Sequence, residues 1–239
     1  MQLIDYVLLF SSVMMGGIAY FIIKNPGPNF LKLILSFSGA FLFALTVLHL
    51  MPEVYKNNSA SIGVWIMIGF FLQIIMEFFS EGIEHGHMHI HHDHKGVFPT
   101  TMMLSLCLHS LLEGMPLAGK LASGSNDRSL LIGIILHHLP VAFALVSMLV
   151  ASGITKTKVI TYLILFAIMA PLGAFSSNFI GGNMLSDYSA WFDKMMAIVI
   201  GIFLHISTTI LFESSSNHRF NLYKMVAIIT GGIIGIIVS

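Results

Sequence analysis

Residues Ser129 to Ala151 read SLLIGIILHHLPVAFALVSMLVA, an unbroken apolar run without a single Asp, Glu, Lys or Arg. Wound as an α-helix at 1.5 Å per residue, the run is about 35 Å long, enough to cross a hydrocarbon core of about 30 Å. Apolar and polar residues do not alternate along it, so a barrel strand does not fit. Seven further runs of the same kind lie outward from it. They are Leu3 to Ile23, Leu31 to Met51, Ile62 to Phe79, Phe98 to Leu121, Val159 to Ile180, Ala190 to Phe212 and Leu222 to Val238. Eight spans take up most of the 239 residues. The expected fold is all-α: a polytopic membrane protein with one eight-helix transmembrane domain over residues 1–239.

The composition agrees. Hydrophobic residues make up 56% of the chain and charged residues 9%, with a mean hydropathy of +0.89; a soluble domain carries about 25% charge. Eleven basic and eleven acidic residues cancel, so no basic field exists for nucleic acid. A lone cysteine, Cys107, excludes a disulfide scaffold. The natural surroundings are a lipid bilayer, by default a plasma or bacterial inner membrane. The first run has no basic start and no small-residue cleavage site, so it is expected to stay as a helix. Lys24, Lys32, Lys95, Lys156, Lys158, Arg219 and Lys224 fall on one side of the membrane, Lys56, Lys120, Arg128 and Lys194 on the other. Seven against four puts the first set in the cytoplasm and both termini outside. Oligomeric state stays open; the pairs Gly16-Gly17 and Gly231-Gly232 would allow close helix contacts, including those of a homodimer.

Residues 81–97 form the only long polar connection, expected on the cytoplasmic side. Between Glu81 and Lys95 lie six histidines within ten residues: His85, His87, His89, His91, His92 and His94. Glu81, Glu84 and Asp93 stand beside them. Closely spaced imidazoles on a polar loop suit a borderline metal such as zinc. A merely solvated linker is the alternative, but nothing in the fold demands this composition.

An ionisable group near the bilayer centre costs about 2.5–3.5 kcal/mol on insertion scales, so such residues mark function. His109 and Glu113 stand four apart in the fourth span, on one helix face. His137 and His138 stand in the fifth. Pro116 and Pro140 follow these residues and remove backbone hydrogen bonds to Leu112 and Leu136. Freed carbonyls beside histidines point to a lined cavity. Two imidazoles and a carboxylate match a divalent cation bound at about 2.0–2.2 Å. His109, Glu113 and His137 could supply three ligands and leave a position open, as transport or catalysis needs. Buried histidines satisfied by backbone are the bland alternative, weak for so many on consecutive helices. His49 and Glu53 at the end of the second span, and His205 inside the seventh, read as pathway residues. Glu77 and Glu81 read as a relay toward the histidine loop, and Glu213 as the close of the seventh span.

At these residues the sequence resembles the ZIP (Zrt-, Irt-like) family of divalent-metal transporters. The resemblance covers the eight-span layout, the loop between spans three and four, and His49 with Pro52-Glu53 closing span two. Its most specific parts are His109-Ser110-x-x-Glu113-Gly114 and His137-His138-Leu139-Pro140. It implies a transport site at His109, Glu113, His137 and His138, with Ser110 beside it, and zinc as the cargo, or iron, manganese or cadmium. The family's span-four Asn is Ser110 here, the acid after the first span-five histidine is His138, and a second carboxylate is replaced by Ala142. A pair of metals bridged by carboxylates is therefore not expected. The implied activity is entry of a zinc-like cation into the cytoplasm, with the metal as cargo and no separate cofactor. An intramembrane metal-dependent hydrolase using the same ligands is the alternative, weakened because the His-Glu-x-x-His arrangement is absent.

Overall fold

The computed structural model describes residues 1–23, 28–57, 61–80, 98–122, 128–184, 188–213 and 222–238. Glu81 and the histidines from His85 to His94 lie outside the described residues. In chain order the helices are α1 (Leu3–Ile22), α2 (Pro28–Leu45), α3 (Met51–Asn57), α4 (Ile62–Ser80), α5 (Phe98–Ala122), α6 (Ser129–Ala151), α7 (Lys156–Met184), α8 (Tyr188–Glu213) and α9 (Leu222–Val238). A π-helical turn, Thr46–Leu50, joins α2 to α3 into one rod. Among the described residues there are thus eight rods and no strand. Seven are long and apolar enough to span a membrane, and α9 is apolar but only 17 residues long.

The second span corrects its expected end. The span is expected to close at Met51, before Pro52-Glu53, yet helix continues through Pro52 to Asn57. Pro52 cannot donate to the carbonyl of Leu48. The turn before it widens instead, and the Met51 N–H donates to Thr46 O, five residues back. Thr46 Oγ1 donates to Leu42 O at 2.7 Å in the same stretch. The helices α5 and α6 likewise run on through Pro116 and Pro140.

Large apolar side chains face outward while a set of polar ones lies inside, as lipid requires. Ile22, Phe78 and Leu104 stand 72%, 80% and 72% exposed, while Ser38, Gln73, His109, Glu113, His137 and His138 are all fully buried. With no water in the bilayer core, polar groups must find partners inside the bundle.

The helices pair into two groups. One contains α1, α5, α6 and α7, held by the pairs α5–α7, α1–α6 and α1–α7; the other contains α2 with α3, α4, α8 and α9, held by α2–α9, α4–α8 and α2–α8. Glycine sets the closeness inside each group. A Cβ on Gly114 would sit 2.1 Å from Ala170 O and one on Gly173 2.0 Å from Leu111 O, so α5 and α7 touch backbone to backbone. Gly69 and Gly201 repeat this for α4 and α8, each with 2.0 Å to a carbonyl, of Ile198 and of Ile66. Of the glycine pairs noted in the sequence, Gly16, Gly17 and Gly231 press against neighbouring helices of this same chain, while Gly232 faces open space. The groups meet along α2–α6, α4–α5 and α5–α8. There a Cβ on Gly133 of α6 would meet side chains, Leu45 Cδ2 at 2.5 Å and Phe41 Cε1 at 4.0 Å.

Candidate metal site

Helical spacing puts His109 and Glu113 on one face of α5, and α6 crosses beside them at His137 and His138. All four side chains are fully buried. His109 Nε2 lies 3.1 Å from Glu113 Oε1, and His137 Nε2 lies 4.0 Å from the same oxygen. One ligand atom from each of His109, Glu113 and His137 falls within 4.8 Å of the others. Ligands of a tetrahedral zinc at bond lengths of 2.0–2.2 Å are about 3.4 Å apart, so small side-chain shifts would close these three around one cation. Glu113 Oε1, though buried, receives no hydrogen bond.

His138 stands differently. Adjacent residues on a helix point about 100° apart, so it cannot follow His137. Its Nε2 makes a 2.8 Å bond to Glu113 Oε2, the other carboxylate oxygen, and its ring lies 5.5 Å from that of Phe166. It holds the carboxylate from behind instead of converging with the three. The Oγ of Ser110 is buried beside this cluster without a hydrogen bond, as is His138 Nδ1. Ala142, in the place of a second carboxylate, is fully buried.

Two residues that sequence reasoning missed reach the site from the other helix group. Gln73 Oε1 on α4 lies 3.1 Å from His109 Nδ1, and Ser38 Oγ on α2 lies 3.4 Å from His137 Nδ1. Both are fully buried. A single amide in the otherwise apolar run of α4, one turn before Glu77, was the available signal for Gln73; Ser38 had none.

The remaining polar residues form two pairs away from the centre. His49 and Glu53, on the π turn and α3, approach to 3.8 Å and are 22% and 42% exposed. His205 of α8 bonds Glu77 of α4 through Nε2 and Oε2, with Phe70 edge-on to the imidazole at 5.0 Å. The first pair lies at the α3–α4 end of the bundle, the second toward the end that leads into residues 81–97. Glu213 ends α8.

Comparison with known proteins follows the same residues. Zinc transporter ZIP9 of Micropogonias undulatus is 28% identical over 165 residues, covering 64% of this chain and 51% of that protein. Zinc transporter ZIP9 of Xenopus tropicalis is 28% identical over 167 residues, 64% of this chain and 52% of its own. Zinc transporter ZIP1 of Danio rerio is 35% identical over 94 residues, 39% of this chain and 30% of that protein. The chain spans about half the length of the ZIP9 relatives. Residues 96–239, which take in α5 to α9 with Glu113, His109, His137 and His138, match the family described as ZIP zinc transporter, and this multi-pass membrane protein belongs to that family.

Proposed function

We propose that the chain carries a zinc-like divalent cation across the membrane into the cytoplasm, bound midway by His109, Glu113 and His137. The observation that carries the reading is the convergence of two imidazole nitrogens and one carboxylate oxygen, all wholly buried, between α5 and α6. A cation there meets one negative charge and neutral imidazoles, so the loaded site keeps a low net charge in a low-dielectric interior. Nitrogen-rich ligation favours zinc over manganese or magnesium. The relatives are named zinc transporters, which supports zinc as cargo.

All the proposed ligands belong to one helix group, in which glycines bring α5 against α7 and α1 against α6 backbone to backbone. Movement of this group against the other would carry the cation without dismantling its ligand set. His49 with Glu53 would line one approach and Glu77 with His205 the other, leading to the histidine-rich segment 81–97 on the cytoplasmic side. Both termini then lie outside. Zinc acts as substrate, and no enzymatic step is needed; membership of a transporter family lends no support to the hydrolase alternative.

Zinc uptake into proteoliposomes is the test. The unmodified protein should take up zinc, and Glu113→Ala should reduce uptake to the level of empty liposomes. Undiminished uptake by correctly inserted Glu113→Ala would end this reading.

A further inference from the structure

We propose that Gln73 and Ser38 fix the tautomers of His109 and His137 from across the interface between the two helix groups. The affinity of the cation site thereby depends on how the groups are aligned. This rests on the reading of His109, Glu113 and His137 as the cation site.

A histidine that gives the lone pair of Nε2 to a metal carries its proton on Nδ1, and the partner of that N–H decides the tautomer and orients the ring. In a water-free interior the partner must come from the protein. His109 Nε2 faces Glu113 Oε1, while its Nδ1 faces Gln73 Oε1 at 3.1 Å. His137 Nε2 faces the same carboxylate oxygen, while its Nδ1 faces Ser38 Oγ at 3.4 Å. In each ring the nitrogen turned away from the site meets an oxygen able to accept its proton. Each acceptor is fully buried.

The placement of these acceptors gives the inference its content. The ligands ride on α5 and α6 of one group; Gln73 is on α4 and Ser38 on α2 of the other. Ser105, one turn before His109, adds a bond to the same face of α4, its Oγ donating to Met76 O at 2.6 Å. In the alignment seen here α5 is registered on α4 at two successive turns. A slide of one helical turn, about 5.4 Å, carries both imidazoles away from their acceptors while the three ligands stay together. The Nδ1 protons then lose their partners, the Nε2 tautomer competes, and the site holds its cation less firmly. Movement itself thus weakens binding, which favours release after the slide.

The experiment compares Gln73→Leu, Gln73→Glu and Ser38→Ala in the full chain. Zinc binding is read as the component abolished by adding Glu113→Ala, which removes any contribution from the histidine-rich segment. Gln73→Leu should weaken that component 10–100-fold, the range seen when such outer partners are removed. KM for zinc uptake should rise in step, with the maximal rate kept or increased. The 15N signals of His109, assigned by loss in His109→Ala, should shift from the Nδ1-protonated pattern toward the other tautomer. Gln73→Glu keeps an acceptor, so it should restore binding and the tautomer while slowing turnover. Ser38→Ala should act in the same direction on His137 with a smaller effect, since its contact is longer, and it serves should Gln73→Leu not fold. Unchanged zinc binding and unchanged 15N patterns in Gln73→Leu or Ser38→Ala, with the unmodified protein binding zinc through Glu113, would overturn the proposal. Absence of Glu113-dependent zinc binding in the unmodified protein would instead overturn the site itself.

Discussion

The two helix groups use the same device for cohesion and differ in what they enclose. In both, helices meet backbone to backbone at glycine: α5 with α7 and α1 with α6 in the first, α4 with α8 and α2 with α9 in the second. The first group contains every proposed ligand, wholly buried. The second contains the partly exposed pairs, His49 with Glu53 and Glu77 with His205, together with Gln73 and Ser38, which touch the ligands from outside. Among the described residues, every glycine that meets the backbone of another helix meets one of its own group, whereas contact between groups runs through side chains such as Leu45 over Gly133. Backbone contacts tolerate no added atom, while side chains can change rotamer. That contrast is what the proposed movement needs: two bodies that meet through side chains, with the proposed ligands on one of them.

The largest expected effect comes from breaking a weld. Gly114→Val would drive a side chain into the carbonyl of Ala170, 2.1 Å from even the first added carbon. Overpacking costs about 1–3 kcal/mol where neighbours can yield; a backbone carbonyl yields least, so little folded protein should be recovered. Gly133→Ala at the seam meets Leu45 Cδ2, the end of a flexible chain, at 2.5 Å. It should lower thermal stability by only a few degrees while slowing uptake. Equal loss of folded protein in the two variants, measured by size-exclusion recovery and melting, would remove the distinction between weld and seam.

The next concerns how many cations the first group holds. Two dications a few ångströms apart repel strongly in a low dielectric unless carboxylates bridge them. Glu113 is the single carboxylate among the buried charged and polar residues around the site, with His138 on its second oxygen and Ala142 where another acid would stand. Metal analysis after zinc soaking should give one Glu113-dependent ion per chain. His138→Leu should leave that count at one and weaken binding 10–100-fold, as for other residues that hold a ligand in place. Ala142→Glu should admit a second ion or tighten the first. Two Glu113-dependent ions in the unmodified protein would break the argument from charge.

What was legible in the sequence follows from the range of the interactions. The spans could be read because an apolar run of the right length is a local property, and His109 with Glu113 because their spacing is one helical turn. The membership of His109, Glu113 and His137 in one cluster depended on α5 and α6 packing side by side, which the resemblance implied and periodicity alone could not give. The continuation of the second span past Met51 was missed because the apolar run ends there at Pro52-Glu53; a π turn lets the helix run on through the proline, and nothing in Thr46–Leu50 announces that turn. His138 was grouped with His137 as a ligand, and it bonds the second oxygen of Glu113, a placement that only the packing of α6 on α5 could give. Gln73 was marked only by being a lone amide in an apolar run, and Ser38 by nothing: their partners lie 36 and 99 residues away in the chain.

The smallest effect expected is at the pairs of the second group. Glu77 and His205 bond each other in a place that is 24% and 12% exposed, where water softens the charge and no cation need be held firmly. His49 and Glu53, 3.8 Å apart and more exposed still, are weaker yet as a site. If these pairs only line the approaches, Glu77→Gln and His49→Ala should lower the maximal rate of zinc uptake a few-fold. Glu113-dependent binding and its stoichiometry should not move, because the pairs these residues form, His49 with Glu53 and Glu77 with His205, lie within the second group. Glu77→Gln should be the larger of the two, since it removes the negative charge that meets the approaching cation, whereas His49→Ala removes a ring already partly in solvent. Loss of the Glu113-dependent ion in Glu77→Gln would show that the second group helps to hold the cargo, and the division of labour between the groups would fail.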